Sequence, residues 1–324
     1  MPTPTPTCPS TVLVTGGHGL LGGALTRRMA DRDDLVTLAP PRQDLDLLDP
    51  DQLSRYFDRH DIDAVIHLAA DCGGIGYNRA LPASIMVNNT RMGLNLFEAA
   101  QAHSVGVIVT ASSCDAYPAA ATLPWREDDL WAGLPEPTSG SYALAKRYLP
   151  ALGEAYHLQY GIDSTHLIFI NMYGERDQFN VDRGHVIPAT IAKIHAAARS
   201  GTQRVTVWGD GSPQRELLYA DDAARVVLRM LDRVNGVSCV NVGSGTVRSI
   251  TEILTEIAAC MDWHGEFVFD PTYPNGHALK VLDTTRMRDI VGADFTFTPF
   301  PEAIARTVAA SRIPAGPNVT PTPA

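Results

Sequence analysis

Two side chains four residues apart, Tyr142 and Lys146, carry the chemistry that this sequence suggests most clearly. Positions i and i+4 lie on one face of a helix. An ammonium beside a phenol favours the phenolate, so we expect Lys146 to lower the pKa of Tyr142. A tyrosine in this state exchanges a proton with a carbinol or carbonyl oxygen while a hydride moves to or from a nicotinamide. A hydroxyl at a neighbouring strand end should bind the same oxygen, and Ser112 and Ser113 both fit.

A glycine-rich turn provides a site for the cofactor of such chemistry. The segment Gly16–Gly22 has the spacing G-x-x-G-x-x-G, directly after an apolar strand and at the start of a helix. In this pattern the first glycine makes a tight turn, the second lets a pyrophosphate approach the backbone, and the third lets helix and strand pack closely. A tight turn without a ligand is the alternative. The residues that we expect to contact a dinucleotide are Gly16, Gly19, Leu20, Leu21 and Gly22.

The segment after the second strand indicates which dinucleotide binds. A site specific for NAD usually carries an acid there for the ribose 2′-hydroxyl, but this segment has no acid and contains Arg42. A cation suits a 2′-phosphate, so we favour NADP(H) and keep NAD(H), or a merely solvated arginine, as alternatives. Downstream, Asp46 and Leu47 are expected beside the adenine, although the same stretch is also typical of a helix start with Asp49 as its N-cap.

Short apolar runs alternate with longer amphipathic segments, and these elements must position the residues above. Continuous apolar strands separated by helices indicate a parallel sheet that is covered on both faces. The sequence therefore predicts a Rossmann-type, doubly wound α/β fold. The predicted strands are 11–15, 35–38, 63–68, 106–111 and 163–170, and the predicted helices are 20–31, 50–60, 84–102 and 141–160.

After Tyr173 the alternation breaks down, which indicates a smaller C-terminal α/β lobe for the substrate. A helix at 221–233 and a strand at 238–242 read as a return to the first domain. We expect a dinucleotide-binding domain and a substrate lobe, each of two segments, and two flexible tails. The boundaries are 10–177 plus about 218–250 for the first domain, 178–217 plus about 251–313 for the substrate lobe, and 1–9 and 314–324 for the tails.

Composition argues against several classes of protein. The 324 residues include 36 acidic and 26 basic side chains, and a net charge of −10 is a poor match to a nucleic-acid backbone. No apolar stretch reaches the ~20 residues that span a bilayer. The five cysteines are scattered without a C-x-x-C pair, which disfavours a disulfide framework or a zinc site. We therefore expect no metal, no membrane partner and a cytoplasmic location.

Further motifs extend the pattern from about Val12 to Asp283. They are His67–Ala70, Gly73–Ile75, Ser112–Cys114 with Tyr117-Pro118, Pro135–Thr138, Asn171–Gly174, Asp177–Phe179, His185–Ala189, Val207–Gly211 with Arg215-Glu216, Asp221-Asp222 and Asn241–Gly245. Together with the glycine turn and the Tyr-Lys pair, they resemble the extended short-chain dehydrogenase/reductases. Within these, the likeness is to the NAD-dependent epimerase/dehydratase family that acts on nucleotide sugars, and most to its fucose-synthase branch.

The resemblance implies an activity and assigns roles. That branch epimerises C3 and C5 of GDP-4-keto-6-deoxymannose and then reduces C4 with NADPH. The resemblance implies a catalytic set of Ser113, Tyr142 and Lys146, a cysteine/histidine acid–base pair with His185 as the histidine, a GDP-linked sugar as substrate, and a homodimer. The further residues implicated are Leu68, Ala69 and Ala70 at the cofactor, and Asn171, His185, Lys193, Trp208, Arg215 and Lys280 at the substrate.

Some of these assignments have ordinary alternatives. Lys193 shares a helical face with His185, and with Arg215 and Lys280 it is a candidate for the diphosphate. Trp208 either lines the nucleotide or packs the second lobe. Asn171 either bonds the substrate or forms a turn.

One extra residue separates this chain from the family pattern. The family's active-site cysteine stands two residues before the tyrosine of Tyr-Pro. Counted back from Tyr117, the hydroxyl falls on Ser113 and the cysteine position holds Asp115. Counted along the Ser-Ser-Cys string, the pair is Ser112 and Cys114. We prefer the first count because the catalytic tyrosine fixes the geometry, so an aspartate either acts as the base or epimerisation is altered or lost.

Three functions remain open on the sequence alone. The favoured one is an NADPH-dependent 4-keto-6-deoxy sugar reductase, with or without 3,5-epimerase activity. An NAD-dependent nucleotide-sugar epimerase that recycles a tightly bound cofactor is the alternative, because the cysteine is displaced and no second basic residue stands near Pro40. A non-catalytic dinucleotide sensor on the same fold is the third, and the intact Ser-Tyr-Lys set argues against it.

Overall fold

The structure is a computed structural model that describes residues 10–181, 184–273, 275 and 278–311. The predicted tails, 1–9 and 314–324, lie outside the described residues. The strands are β1 (Thr11–Thr15), β2 (Val36–Leu38), β3 (Ala64–His67), β4 (Val107–Ser113), β5 (Asp163–Phe169), β6 (Met172–Tyr173), β7 (Arg204–Trp208), β8 (Gln214–Glu216), β9 (Leu218–Tyr219), β10 (Val237–Val242), β11 (Val247–Ser249), β12 (Glu266–Asp270) and β13 (Leu279–Lys280). The helices are α1 (Leu20–Met29), α2 (Pro50–Phe57), α3 (Ile75–Ala80), α4 (Pro82–Ala102), α5 (Gly140–Tyr160), α6 (Val186–Ser200), α7 (Ala220–Leu231), α8 (Ile250–Cys260), α9 (Thr285–Val291) and α10 (Phe300–Ser311).

Six strands form one parallel sheet in the order β2-β1-β3-β4-β5-β10. This arrangement confirms the predicted Rossmann-type α/β fold. The chain moves from β1 to β2 on one side and then to β3 on the other, so the strand order reverses between β1 and β3. Sheets of this kind bind ligands in the crevice at the carboxyl ends of the strands at such a switch point.

Apolar cores cover both faces of this sheet, as the continuous apolar strands predict. One core packs α1 and α7 on the sheet through side chains such as Leu25 and Val226. The other packs α2, α4 and α5 through side chains such as Leu53, Phe97 and Leu149. Helices therefore cover both faces of the sheet, and a ligand site is expected at the ends of the strands.

The second half of the chain builds a smaller body around three short sheets. These are β11-β8-β13, β12-β7 and β6-β9, and a third apolar core joins α6, α8 and α10. The strand β10 returns to the main sheet beside β5, as the sequence indicates. The domain boundaries given above stay a prediction.

Two histidines are buried in the central sheet. Thr15 Oγ1 and His67 Nδ1 are 2.8 Å apart across β1 and β3, and Thr110 Oγ1 and His166 Nδ1 are 2.8 Å apart across β4 and β5. Burial lowers the pKa of each ring to about 3, and the charge of Lys146 adds to this effect at His67. Both rings are therefore neutral near physiological pH.

We expect these two histidines to destabilise the folded protein in mild acid. An ordinary histidine takes up a proton near pH 6.5, whereas these rings do so only near pH 3. Their contribution is complete above pH 6.5 and is lost as the pH falls, because the unfolded chain binds protons that the folded chain cannot. Two such groups lower the free energy of unfolding by about 2.4 kcal/mol between pH 6 and pH 5.

Urea unfolding at pH 6 and pH 5 measures this loss. His166→Gln should reduce it by about half. His264→Gln removes an exposed ring and should leave it unchanged. An undiminished loss in His166→Gln would contradict the assignment of the effect to the buried ring.

Candidate functional site

The glycine turn lies in the crevice at the carboxyl ends of β1 and β3. Gly16 has a φ of +70°, which glycine adopts without steric cost, and the Gly19 N–H donates to the Gly16 carbonyl oxygen at 3.0 Å. A Cβ atom on Gly16 would lie 2.6 Å from the Ala69 nitrogen. The structure thus brings together two predicted cofactor segments, 16–22 and 68–70.

The N-terminus of α1 has the features of a pyrophosphate site. Among the described residues no side chain caps this helix, and its first turn holds no acid. A Cβ atom on Gly19 would meet only the Gly16 carbonyl oxygen, at 3.3 Å, so the space beyond Gly19 is open. Leu21 is buried in the core and Leu20 is half-buried. These two residues therefore offer an anion their backbone N–H groups rather than their side chains.

The predicted adenosine end is formed by the segment between β2 and α2. The Arg42 side chain is 79% exposed, and it lies 3.4 Å from Asp46. Asp46 also accepts the backbone N–H of Leu48, while Leu47 is buried. Asp49 caps α2 with its side chain, which confirms the helix-start interpretation of this stretch. Arg42 is thus the exposed cation of the segment.

Ser113, Tyr142 and Lys146 are brought to the carboxyl end of β4. Ser113 is the last residue of that strand, and α5 packs against both β4 and the turn that follows it. Tyr142 and Lys146 lie one turn apart near the start of α5, with Lys146 Nζ 5.9 Å from the centre of the Tyr142 ring. Lys146 is buried and Tyr142 is half-buried.

The Tyr-Lys spacing predicts a lowered Tyr142 pKa, but in this structure the Tyr142 pKa is raised. Burial raises the Tyr142 pKa well above its ordinary value, and the neighbouring Cys72, Asp115 and Cys114 raise it further. Burial also lowers the Lys146 pKa, to about 8. The phenol is therefore protonated at neutral pH, which is the state that donates a proton.

The turn after β4 separates the two candidates for the family's cysteine. Cys114 is 3% exposed, burial raises the pKa of its thiol to about 12, and its sulfur lies 3.9 Å from Asn171 Oδ1. Asp115 is partly exposed, and its Oδ1 lies 2.8 Å from Lys280 Nζ. A buried thiol with so high a pKa is a poor base. These features favour the count in which Asp115 holds the cysteine position.

Two contacts outside the predicted site fix this turn. The Tyr117 hydroxyl donates to Asn241 Oδ1 at 2.6 Å, and the Asn241 amide donates in turn to the carbonyl oxygen of Trp125. Arg147 is buried and donates to the carbonyl oxygens of Ala116 and Gly133. Tyr117 and Asn241 stand in quoted motifs, whereas the only signal for Arg147 is its place beside Lys146.

His185 lies at the N-cap position of α6 and is exposed. Asp177 is near enough for its charge to interact with His185. Burial raises the Asp177 pKa, and the Gln178 backbone N–H and then His185 oppose that rise. In the part of the chain that the structure describes, no donor reaches the buried Asp177 Oδ2. Asp177 lies in the motif Asp177–Phe179, but the residue pattern alone predicts no role for it.

The remaining substrate candidates, Lys193, Trp208 and Arg215, lie in the second half of the chain. Lys193 Nζ donates to the Thr206 carbonyl oxygen at 2.8 Å, which ties α6 to β7. Trp208 is 64% exposed and stacks on Tyr273, with ring centres 4.5 Å apart, so it does not pack the interior of the second lobe. Arg215 is in register with Lys280 on adjacent strands.

Cys72 is a neighbour of the Tyr142–Lys146 pair that sequence reasoning missed. It follows β3 and lies close enough to Lys146 and Tyr142 to affect their pKa values, while burial raises the pKa of its own thiol. The preceding Asp71 is held by the Tyr77 hydroxyl at 2.7 Å and the Asn88 amide at 2.8 Å. A cysteine just before the Gly73-Gly74 pair is the signal that could have identified it.

The described residues also bear on the predictions about membranes, metals and cysteines. Within the described ranges, no helix is long and apolar enough to cross a membrane. The same residues include no group of three or more His, Cys, Asp or Glu side chains that could hold a metal. Cys72, Cys114, Cys239 and Cys260 are free thiols, and Cys8 lies outside the described residues.

Comparison with known proteins yields a consistent set of relatives. The chain is 34% identical to GDP-L-fucose synthase of Escherichia coli (strain K12), over 86% of this chain and 90% of the relative. It is 32% identical to GDP-L-colitose synthase of Yersinia pseudotuberculosis, over 86% and 91%. A crystal structure of a GDP-L-fucose synthetase from Naegleria fowleri bound to NADP is similar, with a TM-score of 0.86, 30% identity and coverage of 94% and 93%.

The family model described as "NAD dependent epimerase/dehydratase family" matches residues 12–243. That range contains the glycine turn, the Ser-Tyr-Lys set and Asp115. The chain therefore belongs to the NAD-dependent epimerase/dehydratase family.

Proposed function

We propose that this protein is an NADPH-dependent reductase of a GDP-linked 4-keto-6-deoxy sugar that also epimerises the carbons flanking the ketone. The observation that carries the proposal is the placement of Ser113, Tyr142 and Lys146 at the strand ends that also hold the glycine turn. The names of the relatives support a GDP-linked sugar. The NADP in the related crystal structure supports NADP(H) as the cofactor.

The residues present suit a dinucleotide. The Gly16 turn and the open N-terminus of α1 would hold its pyrophosphate, Arg42 its 2′-phosphate, and Tyr142 and Lys146 would face its nicotinamide end. When bound, the reduced cofactor supplies a hydride to the ketone carbon.

Reduction needs a proton for the ketone oxygen, and Tyr142 is suited to give it. The phenol is protonated because burial raises its pKa. Lys146, with a pKa of about 8, is still charged at pH 7 and would stabilise the phenolate that remains. The Ser113 hydroxyl would donate a hydrogen bond to the same oxygen and hold the ketone in place.

Epimerisation needs a base on one face of the sugar and an acid on the other. We assign Asp115 as the base and His185 as the acid. Removal of a proton next to the ketone places charge on the ketone oxygen, and the hydrogen bonds from Tyr142 and Ser113 would stabilise that enolate.

A spectrophotometric assay of nicotinamide oxidation tests this function. We expect GDP-4-keto-6-deoxymannose to drive oxidation of NADPH with kcat/KM at least about tenfold above that with NADH, because Arg42 favours the 2′-phosphate. The UDP-linked sugar is the control for the nucleotide and should react poorly. Tightly bound NAD in the purified protein without NADPH oxidation would favour the redox-neutral epimerase instead. Absence of any hydride transfer across a panel of nucleotide sugars would favour the sensor.

The assembly and compartment are parts of the same proposal. We propose a homodimer through α4 and α5, supported by exposed apolar side chains on both helices, among them Met86, Val87 and Leu158. A reducing cytoplasm is supported by the free thiols of the described cysteines.

A further inference from the structure

A fully buried carboxylate, that of Glu216, lies at the end of β8 and accepts hydrogen bonds from two distant segments. Its Oε1 accepts the backbone N–H of Gly245 at 2.6 Å, and its Oε2 accepts that of Leu282 at 2.8 Å. Both oxygens act as acceptors, which is possible for a carboxylate but not for the two polar atoms of an amide. A Cβ atom on Gly243 would collide with Oε1, so the loop after β10 encloses the carboxylate closely.

Both of these segments are anchored on the main sheet. Gly245 follows β10, the strand at one edge of that sheet. The residues on either side of Leu282 exchange backbone hydrogen bonds of 3.1 and 2.9 Å with Trp125, whose side chain packs in the apolar core beneath the sheet. Glu216 therefore ties β8, a strand of the smaller body, to the main sheet through two bonds.

The strands that carry two of the substrate candidates are short. β8 has three residues and β13 has two, and they pair so that Arg215 lies opposite Lys280. Few backbone hydrogen bonds hold so short a pair, so bonds from side chains contribute much to its position. Successive side chains point to opposite faces of a strand, so Arg215 points away from the face on which Glu216 is bonded. The position of the guanidinium therefore depends on the bonds of the neighbouring carboxylate.

We propose that Glu216 is a positioning residue: it fixes β8 against the main sheet and so places Arg215 where the diphosphate of the nucleotide sugar binds. This inference rests on the proposed function and deepens it. The contact of Arg215 with the diphosphate is the same before and during hydride transfer. A displaced guanidinium therefore raises KM for the nucleotide sugar and leaves kcat in place.

Glu216→Gln tests this inference, because the amide keeps the size of the side chain and loses one of its two acceptors. We expect KM for GDP-4-keto-6-deoxymannose to rise about tenfold, while kcat stays within about threefold. The Kd of GDP alone, measured by calorimetry, should rise by a similar factor. The Kd of NADPH should not change, because the glycine turn follows β1, which is separated from β10 by three other strands of the sheet.

Asp222→Asn is the matched control. Asp222 is also a buried carboxylate that accepts a backbone N–H from a distant segment, that of Thr298 at 2.8 Å, but it lies on α7. This variant should lower the free energy of unfolding and leave KM within about twofold. Gly243→Ala provides the test if Glu216→Gln does not fold: it keeps the carboxylate but displaces it, so KM should rise here as well.

A double-variant cycle separates positioning from a general loosening of the fold. Arg215→Met should raise KM about thirtyfold, because it removes the charged hydrogen bonds to the diphosphate. Adding Glu216→Gln to it should raise KM by less than about twofold more, because the side chain through which Glu216 acts is already absent. Effects that multiply would overturn the inference. A folded Glu216→Gln or Gly243→Ala variant with wild-type KM would overturn it too, as would a loss of kcat and NADPH affinity together with the rise in KM.

The wild-type protein separates this inference from the proposed function. If it oxidises NADPH with the nucleotide sugar and Glu216→Gln keeps the same KM, this inference alone fails. If it binds GDP but oxidises no NADPH, the proposed function fails; a tenfold rise in the Kd of GDP in Glu216→Gln then supports the inference, and an unchanged Kd overturns it. If it does neither, both fail.

Discussion

Tyr142→Phe should lower kcat for ketone reduction by at least about a thousandfold, because the variant keeps the ring but has no proton to give the ketone oxygen. The hydroxyl is the only group removed from a half-buried side chain, so we expect the free energy of unfolding to change by less than about 1 kcal/mol. Stopped-flow or steady-state oxidation of NADPH measures the first effect, and urea unfolding measures the second.

Tyr148→Phe is the matched control for this experiment. It makes the same chemical change on the same helix, in another partly buried tyrosine, outside the proposed site. We expect its kcat to stay within about twofold of the wild-type value. A Tyr142→Phe variant that retains a tenth of wild-type activity would remove Tyr142 from the role of proton donor.

Gly22→Ala should have the largest effect on folding and on cofactor binding together. A Cβ atom at this position would collide with the Gly16 carbonyl oxygen and lie 2.7 Å from the Gly17 Cα, and these backbone atoms yield only if the turn moves. We expect a loss of about 3 kcal/mol in the free energy of unfolding. Because the displaced turn is the one that would hold the pyrophosphate, NADPH affinity should fall at least about a hundredfold.

Two other glycines serve as controls. Gly106→Ala places its Cβ atom in open space and should change neither stability nor NADPH binding. Gly19→Ala meets one atom at 3.3 Å and should leave stability nearly intact, yet weaken NADPH binding because the new methyl group occupies the open face of the turn. Fluorescence titration with NADPH and urea unfolding separate the two effects. Wild-type affinity in both Gly19→Ala and Gly22→Ala would contradict the placement of the cofactor at this turn.

The features that the sequence predicts well are local ones. The glycine turn and the Tyr142–Lys146 pair depend on spacings of three and four residues, which the local backbone converts directly into geometry. The alternation of apolar strands and helices likewise leaves few arrangements of the sheet. These are the reasons why the fold class and the glycine turn were predictable.

The features that sequence reasoning missed depend on contacts between distant segments. The pKa of Tyr142 is raised by burial and by Cys72, Asp115 and Cys114 from other segments, which no helical spacing reveals. The pairing of Asp115 with Lys280 joins residues from the two halves of the chain. Arg147 reads as a surface helix residue, but its guanidinium is drawn inward by the carbonyl oxygens of a turn that only the folded chain forms.

The measurement that tests the central claim most directly is the deuterium content of the product formed in deuterated water from GDP-4-keto-6-deoxymannose and NADPH. If Tyr142 serves the reduction and Asp115 and His185 serve the epimerisation, mass spectrometry should find two carbon-bound deuterons in each product molecule, at the two carbons flanking C4, for every NADPH oxidised. NADPH oxidation that yields a product without carbon-bound deuterium would contradict the epimerase half of the proposal and remove Asp115 from the chemistry.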